Sequence, residues 1–215
     1  MGIGTDLIIG IISTFAGVAI ALGIERARRP RLEIAVGKPF DFPIQAREMR
    51  VLRLTVCNRP LPRVLLWFYQ SEPAMNCVAQ HEIFRPDGTR LFMSSVTARW
   101  SGSPEPELIE RADGKVLWKE TNSEDLPPAS ETSLDVVVRR EGSQDAFPFV
   151  NASYTNPRYE LPNYRIPHGT FLIKTTIRTG GRTFAEAFHL SNDSHLDHFR
   201  IERVADPNTR RQLGL

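Results

Sequence analysis

The sequence carries only two cysteines in 215 residues, too few for a disulfide framework or a four-cysteine zinc site. It has no marked surplus of either charge. Its 27 Lys and Arg stand against 25 Asp and Glu, a net charge of +2, which leaves no global footprint for nucleic acid. Low-complexity tracts and internal repeats are missing. The 16 Pro and 14 Gly are scattered, which excludes a collagen repeat and a Pro-rich linker. With 41% hydrophobic and 24% charged residues, the composition is that of a folded chain.

Motifs that carry chemistry are also missing. Gly114-Lys115 has no glycine five positions ahead and no Ser or Thr behind it, so it is no phosphate-binding loop. Gly2 and Gly4 lack the third glycine of a dinucleotide fingerprint. His81-Glu82 opens like H-E-x-x-H, but Arg85 stands where the second His belongs. There is no G-x-S-x-G elbow. The weak metal candidates are His189, His195 and His198, with Asp193 and Asp197 nearby, because imidazole and carboxylate suit transition ions. His195 and His198 would share a face only on a helix, and this region follows a strand pattern. The expectation is no cofactor, no bound metal and no enzymatic activity; an unrecognised metal-dependent hydrolase using His81, His168 or the His189–His198 group is the alternative.

One long apolar run is present. Leu7 to Ile24 is 18 residues without a charge, roughly 27 Å as a helix and close to the hydrocarbon thickness of a bilayer. The run is apolar on every side, as a helix in lipid is. Ala19-Ile20-Ala21 resembles a signal-peptidase site, but a signal peptide needs a basic segment before the run, and only Asp6 is charged there. Arg26, Arg28, Arg29 and Arg31 follow it instead, placing the N-terminus outside and the following domain in the cytoplasm. The anchoring residues are Leu7, Ile8, Ile12, Phe15, Val18 and Leu22, with Arg26, Arg28 and Arg29 at the headgroups. Ser13, Gly17 and Ala21 recur every four residues and form a small face for packing against another helix, the route to a homo-oligomer. The expected organisation is a tail over 1–6, a transmembrane helix over 7–24, an Arg-rich linker over 25–31, a β domain over 32–199, and a strand end with a polar, frayed tail over 200–215.

After Pro30 the period becomes two. Leu32, Ile34 and Val36 predict one strand; Leu52, Leu54 and Val56 a second; Cys77 to Phe84 a third. Arg85-Pro86-Asp87-Gly88 turns that strand toward Leu91–Trp100 as its partner. Lys115–Lys119 is a short strand, Leu134, Val136 and Val138 mark a longer one, and Phe147–Tyr154, which contains Pro148, is at best an edge. Phe171, Ile173, Thr175 and Ile177 lead through Thr179-Gly180-Gly181-Arg182 to Phe184, Phe188 and Leu190, the clearest hairpin. Ser101–Glu131 is a Pro- and acid-rich loop. No amphipathic helices alternate with these strands, so the fold class is mainly β, an antiparallel sandwich after one N-terminal helix. Leu65, Leu66, Trp67, Phe68 and Tyr69 fit either a buried segment or an interfacial contact with the bilayer. Cys57 and Cys77 lie on neighbouring predicted strands and would be reduced in the cytoplasm or paired outside it.

The Arg-Pro-Arg-Leu-Glu-Ile boundary at residues 29–34, Cys57-Asn58-Arg59-Pro60-Leu61-Pro62-Arg63, Arg99-Trp100, Asp125-Leu126-Pro127-Pro128 and Ile166-Pro167-His168-Gly169-Thr170-Phe171-Leu172-Ile173 together resemble uncharacterised prokaryotic single-pass membrane-anchored proteins with an Ig-like β-sandwich domain. The resemblance implies that fold on a membrane anchor, and no catalytic residues. The expected function is a non-enzymatic module that binds or scaffolds a protein partner at the cytoplasmic membrane face, with the loop around Trp100 as one candidate contact. The lipid bilayer is a second partner and nucleic acid is not one. An extracytoplasmic module for sugar or cell-wall polymer is the competing reading.

Overall fold

The computed structural model describes residues 3–44, 47–62, 70–110, 116–156 and 158–215, with backbone alone for 3–13, 44, 110, 116 and 117. Helix α1 (Ile3–Arg28) is 26 residues long. It runs past the expected boundary at Ile24, so most of the predicted linker is helical. Pro30 ends it by withholding an N–H and by pushing Arg29 out of the helical region. Phe15, Val18, Ile20 and Leu22 are all more than half exposed along it. Among the described residues, no helix is long and apolar enough to cross a membrane.

The strands, in chain order, are β1 (Leu32–Val36), β2 (Phe40–Ile44), β3 (Arg47–Asn58), β4 (Ala74–Phe84), β5 (Val96–Thr97), β6 (Arg99–Trp100), β7 (Glu107–Glu110), β8 (Val116–Lys119), β9 (Ser123–Leu126), β10 (Glu131–Arg140), β11 (Ala146–Pro148), β12 (Gly169–Thr179), β13 (Arg182–Asn192) and β14 (Arg200–Arg203). They form two antiparallel sheets and a small β7–β8 hairpin. The first sheet has the order β1-β3-β10-β11, with β2 on β3 and β6 on β10. The second has the order β14-β13-β12-β4-β5, with β9 on β4. The protein is therefore mainly β, as the two-residue period predicts.

Both sheets feed one hydrophobic cluster. Leu52, Leu54 and Val56 come from β3, Cys77, Ala79 and Ile83 from β4, Ile173 and Ile177 from β12, and Phe188 and Leu190 from β13. Each of the Val, Leu, Ile and Phe side chains contributes about 1.5–3 kcal/mol relative to remaining exposed. Trp100 is fully buried in this cluster, and its Nε1 donates to the Cys77 carbonyl of the opposite sheet at 3.0 Å. It is a core residue, so the indole itself is not a contact surface; the accessible part of the loop around it begins at Ser101.

Several local expectations change. Leu91–Trp100 is not one strand: Val96–Thr97 pairs with β4, and the chain then crosses to pair Trp100 with Leu134 in the other sheet. The predicted edge strand stops at Pro148, and Asn151–Thr155 coils into a 3-10 turn. The Ser101–Glu131 loop contains the β7–β8 hairpin and β9. Leu134, Val136 and Val138 do not share a face, because a bulge between Asp135 and Val137 shifts the register against β3. Leu134, Val136 and Val137 join the common core, while Val138 turns to a separate cluster with Met49, Val51 and Phe149.

The tail is docked, not frayed. Helix α2 (Pro207–Gln212) is capped by Asp206, whose side chain accepts from the N–H groups of Asn208 and Thr209. Leu213 is buried against Phe84, Leu172, Ala187 and Val204. Lys174 Nζ donates to the Leu213 carbonyl at 2.6 Å, and Gln212 Nε2 to the Asp87 carbonyl at 2.9 Å. Gly88 holds φ +83°, a conformation that L side chains rarely adopt, and a Cβ there would also displace the amide end of Gln212.

Candidate functional site

A concave feature rich in charged and aromatic side chains lies on the face of the first sheet turned away from the common core. Side chains alternate along a strand, so Leu52 and Leu54 point inward and Arg53 outward. Arg53 pairs in register with Asp135 of β10, which places both on the outer face. The bulge follows Asp135 directly, and bulges re-aim side chains at such points. Phe40 and Phe42 reach the same face from β2, opposite Val51 and Met49. Phe149, Tyr154 and Tyr159 close it from the far side. These residues, with Arg99, Ser101, Ser103, Pro104 and Glu105, line an open cavity of about 530 Å³.

At its floor the Asp135 carboxylate is completely buried and gathers three donors. Arg53 Nε lies at 2.7 Å, Arg99 Nη1 at 3.2 Å and Ser101 Oγ at 2.7 Å. Arg99 Nη2 also donates to the Ser103 carbonyl at 2.6 Å. The two guanidiniums lie against aromatic rings, Arg53 4.3 Å from the Phe40 centroid and Arg99 5.1 Å from that of Tyr154. Phe149, Tyr154 and Tyr159 meet with centroids 5.3–5.7 Å apart, and Phe42 packs edge-on to Tyr159 at 5.9 Å. Tyr159 holds φ +56°, a left-handed conformation unusual for an aromatic residue. Burial pushes the Tyr154 and Tyr159 hydroxyls above their ordinary range, so both remain neutral donors at neutral pH.

The floor holds two guanidiniums to one carboxylate, and that carboxylate is satisfied by the protein itself. Asp135 is therefore a structural counter-ion and not a free base. The walls offer aromatic surface and the spare donors of Arg53, an arrangement suited to binding an acceptor-bearing group.

The sequence candidates have different fates. His195 and His198 come together with ring centroids 5.8 Å apart, and Asp193 lies between His198 and His168 at 3.5 and 3.7 Å. His189 stands instead on β13 opposite Leu172 and Glu202. Among the described residues, no group of three or more His, Cys, Asp or Glu is placed to hold a metal ion. His81 is fully buried, and desolvation lowers its pKa to about 4. Cys57 and Cys77 are both free. Cys77 lies in the core and Cys57 on the outer face of the other sheet, so alternation points them apart. Leu65, Leu66, Trp67, Phe68 and Tyr69 lie outside the described residues. Leu7, Ile8, Ile12 and Ser13 are described by backbone alone; Gly17 and Ala21 are exposed, and Gly17 faces open space.

Apart from the loop around Trp100, whose residues Arg99, Ser101, Ser103, Pro104 and Glu105 line it, the pocket escaped the sequence reading. Its parts are spread from Phe40 to Tyr159, and only the strand pairing brings them together. One signal was available: Asp135 is a lone acid within the apolar stretch Leu134–Val138.

No protein-family model, curated protein or solved structure matches this chain.

Proposed function

We propose that this protein is a membrane-anchored, non-enzymatic binding module whose β domain presents the outer-face pocket to a protein partner. The observation that carries the reading is the pocket floor: two arginines around one buried carboxylate, walled by aromatic rings and open to solvent. The anchor is supported by the charge-free run from Leu7 to Ile24 and by the exposed Phe15, Val18, Ile20 and Leu22. The asymmetry of the flanking arginines favours a cytoplasmic domain.

An Ig-like sandwich is the finer fold reading. If β1, β3, β4, β10, β12 and β13 are lettered A, B, C, E, F and G, one sheet reads A-B-E and the other C-F-G. The short β6 sits beside E where D belongs. The contribution of both sheets to one core supports the same reading.

Photo-crosslinking in native membranes tests the function. A benzophenone side chain in place of Phe40, at the lip of the pocket, gives a discrete adduct with a protein partner, and Arg53→Met removes that adduct. No adduct, or one indifferent to Arg53, overturns the pocket as the contact. Labelling Met93→Cys, a fully exposed position, with an impermeant thiol reagent in sealed oriented vesicles tests the topology. Reaction from the cytoplasmic side is expected; reaction from the opposite side makes the protein an extracytoplasmic ligand-binding module.

A further inference from the structure

A second cavity lies at the other end of the domain, where α1 meets the sheets. It measures about 400 Å³ and is lined by Arg29, Pro30, Glu72, Thr179, Gly181 and Arg182, among others. The helix is fastened here to the domain. The Arg28 carbonyl accepts from the Glu72 N–H at 2.8 Å, and Arg28 Nε donates to the Gln70 carbonyl at 3.3 Å. Arg182 Nη1 donates to the Pro30 carbonyl at 2.6 Å, which draws the β12–β13 turn onto the helix exit. The turn residues Gly180 and Gly181 hold φ +50° and +74° and have open space where a side chain would be. Among the described residues, no acceptor meets either of their N–H groups.

The charge around this cleft is predominantly positive. Arg29 pairs with the exposed Glu25, and Arg28 lies 3.9 Å from Glu72. Arg59 pairs with Glu33 nearby. Arg26 and Arg31 are exposed and, among the described residues, have no ion-pair partner. Arg182 adds its charge from the turn, its guanidinium 5.1 Å from the Phe184 ring. Unpartnered amides beside guanidiniums form an anion site, as at other concave backbone turns.

We propose that this cleft takes the phosphate of an anionic phospholipid headgroup. The proposal rests on α1 being the membrane anchor, because only then does the cleft open at headgroup depth. Phosphate oxygens accept from the Gly180 and Gly181 N–H groups and from Arg29 and Arg182. The Glu72 carboxylate also borders the cleft, 3.9 Å from Arg28 Nε. Bound there, the lipid fixes the orientation of the domain against the bilayer.

The test uses the full chain. Flotation with vesicles of phosphatidylcholine alone establishes whether the chain enters a bilayer, independently of the cleft. Native mass spectrometry of the chain released from nanodiscs of equal phosphatidylglycerol and phosphatidylcholine then reads lipid retention. Retention favours phosphatidylglycerol, and each of Arg29→Gln and Arg182→Gln lowers the preference about fivefold. Arg182→Lys restores most of it, and the melting temperature of each variant reports folding. Failure to float overturns the anchor and the proposal together. Flotation with no headgroup preference, or a preference that the variants leave intact, overturns the proposal alone. Inorganic phosphate that binds without any lipid preference reassigns the cleft to a free anion and overturns the lipid assignment.

Discussion

His81 Nε2 lies 3.1 Å from the backbone carbonyl of Asp135, the residue whose carboxylate organises the outer-face pocket. A carbonyl only accepts, so Nε2 carries the proton, and Nδ1 accepts from the Thr175 hydroxyl at 3.0 Å. A neutral imidazole from one sheet therefore supports, through the core, the bulged strand that forms the pocket floor in the other.

Burial lowers the His81 pKa from 6.5 to about 4, so the folded state resists a proton that the unfolded chain accepts. The stabilising contribution is complete above pH 6.5 and falls as pH drops toward 4, by roughly 3 kcal/mol in all. Hydrogen bonding to Arg50 holds the Asp41 carboxyl below its ordinary 3.8, so its loss comes at lower pH, below that range. Urea unfolding from pH 7 to 5 therefore covers the upper part of the His81 window, above the onset of the Asp41 loss. His81→Gln flattens this window; an equally steep profile in the variant refutes the assignment.

Asp135→Asn leaves Arg53 and the buried Arg99 without their counter-charge. The expected loss is about 3–5 kcal/mol in urea unfolding, with Arg53→Met costing less because that side chain is partly exposed. A loss below about 1 kcal/mol would mean that water already compensates the arginines.

Removal of residues 207–215 uncovers Phe84, Leu172 and Val204. It also deprives the buried Glu186 of Arg210, leaving Arg203 as its ion-pair partner. Burial raises the Glu186 pKa, but the Ala187 N–H and the two arginines outweigh it and keep the carboxyl below its ordinary range. The truncated chain melts lower and binds a hydrophobic dye; Leu213→Ala alone costs about 2 kcal/mol. An unchanged melting curve would show that the tail is ornamental.

Both thiols titrate in denaturant without reductant, and only Cys57 reacts quickly in the native protein. Burial pushes the Cys77 thiol up, so it is protonated as well as enclosed. Equal native rates would contradict the placement of Cys77 in the core.

The strands legible in the sequence were those whose alternation is local. Leu52/Leu54/Val56 and the hairpin through Gly180-Gly181 needed no distant partner to be recognised. β2, β9 and β14 are short and mixed in composition, and they exist because a longer neighbour offers them an edge. The bulge at Asp135 was hidden because Leu134, Val136 and Val138 fit a regular alternation as well as a broken one. Strand order carries no local signature, so the meeting of Phe40, Arg53, Arg99, Asp135 and Tyr159 could not be read from spacing. The docked tail was missed because Leu213 is a single apolar residue in a polar stretch, and its partners lie on β4, β12 and β13 and just beyond it.

Arg29, Pro30 and Arg31 are the whole connection between helix and first strand, and it is pinned from two sides. A joint this short and held at both sides is stiffer than a free linker of the same length. Rotation or tilt of α1 is carried to the β domain as to a lever arm, and a load on the domain returns as torque on the helix. The outer-face pocket therefore keeps a fixed height and bearing relative to the helix axis. On the proposed function, a partner would meet the pocket from one direction, and repositioning it would require turning the helix itself.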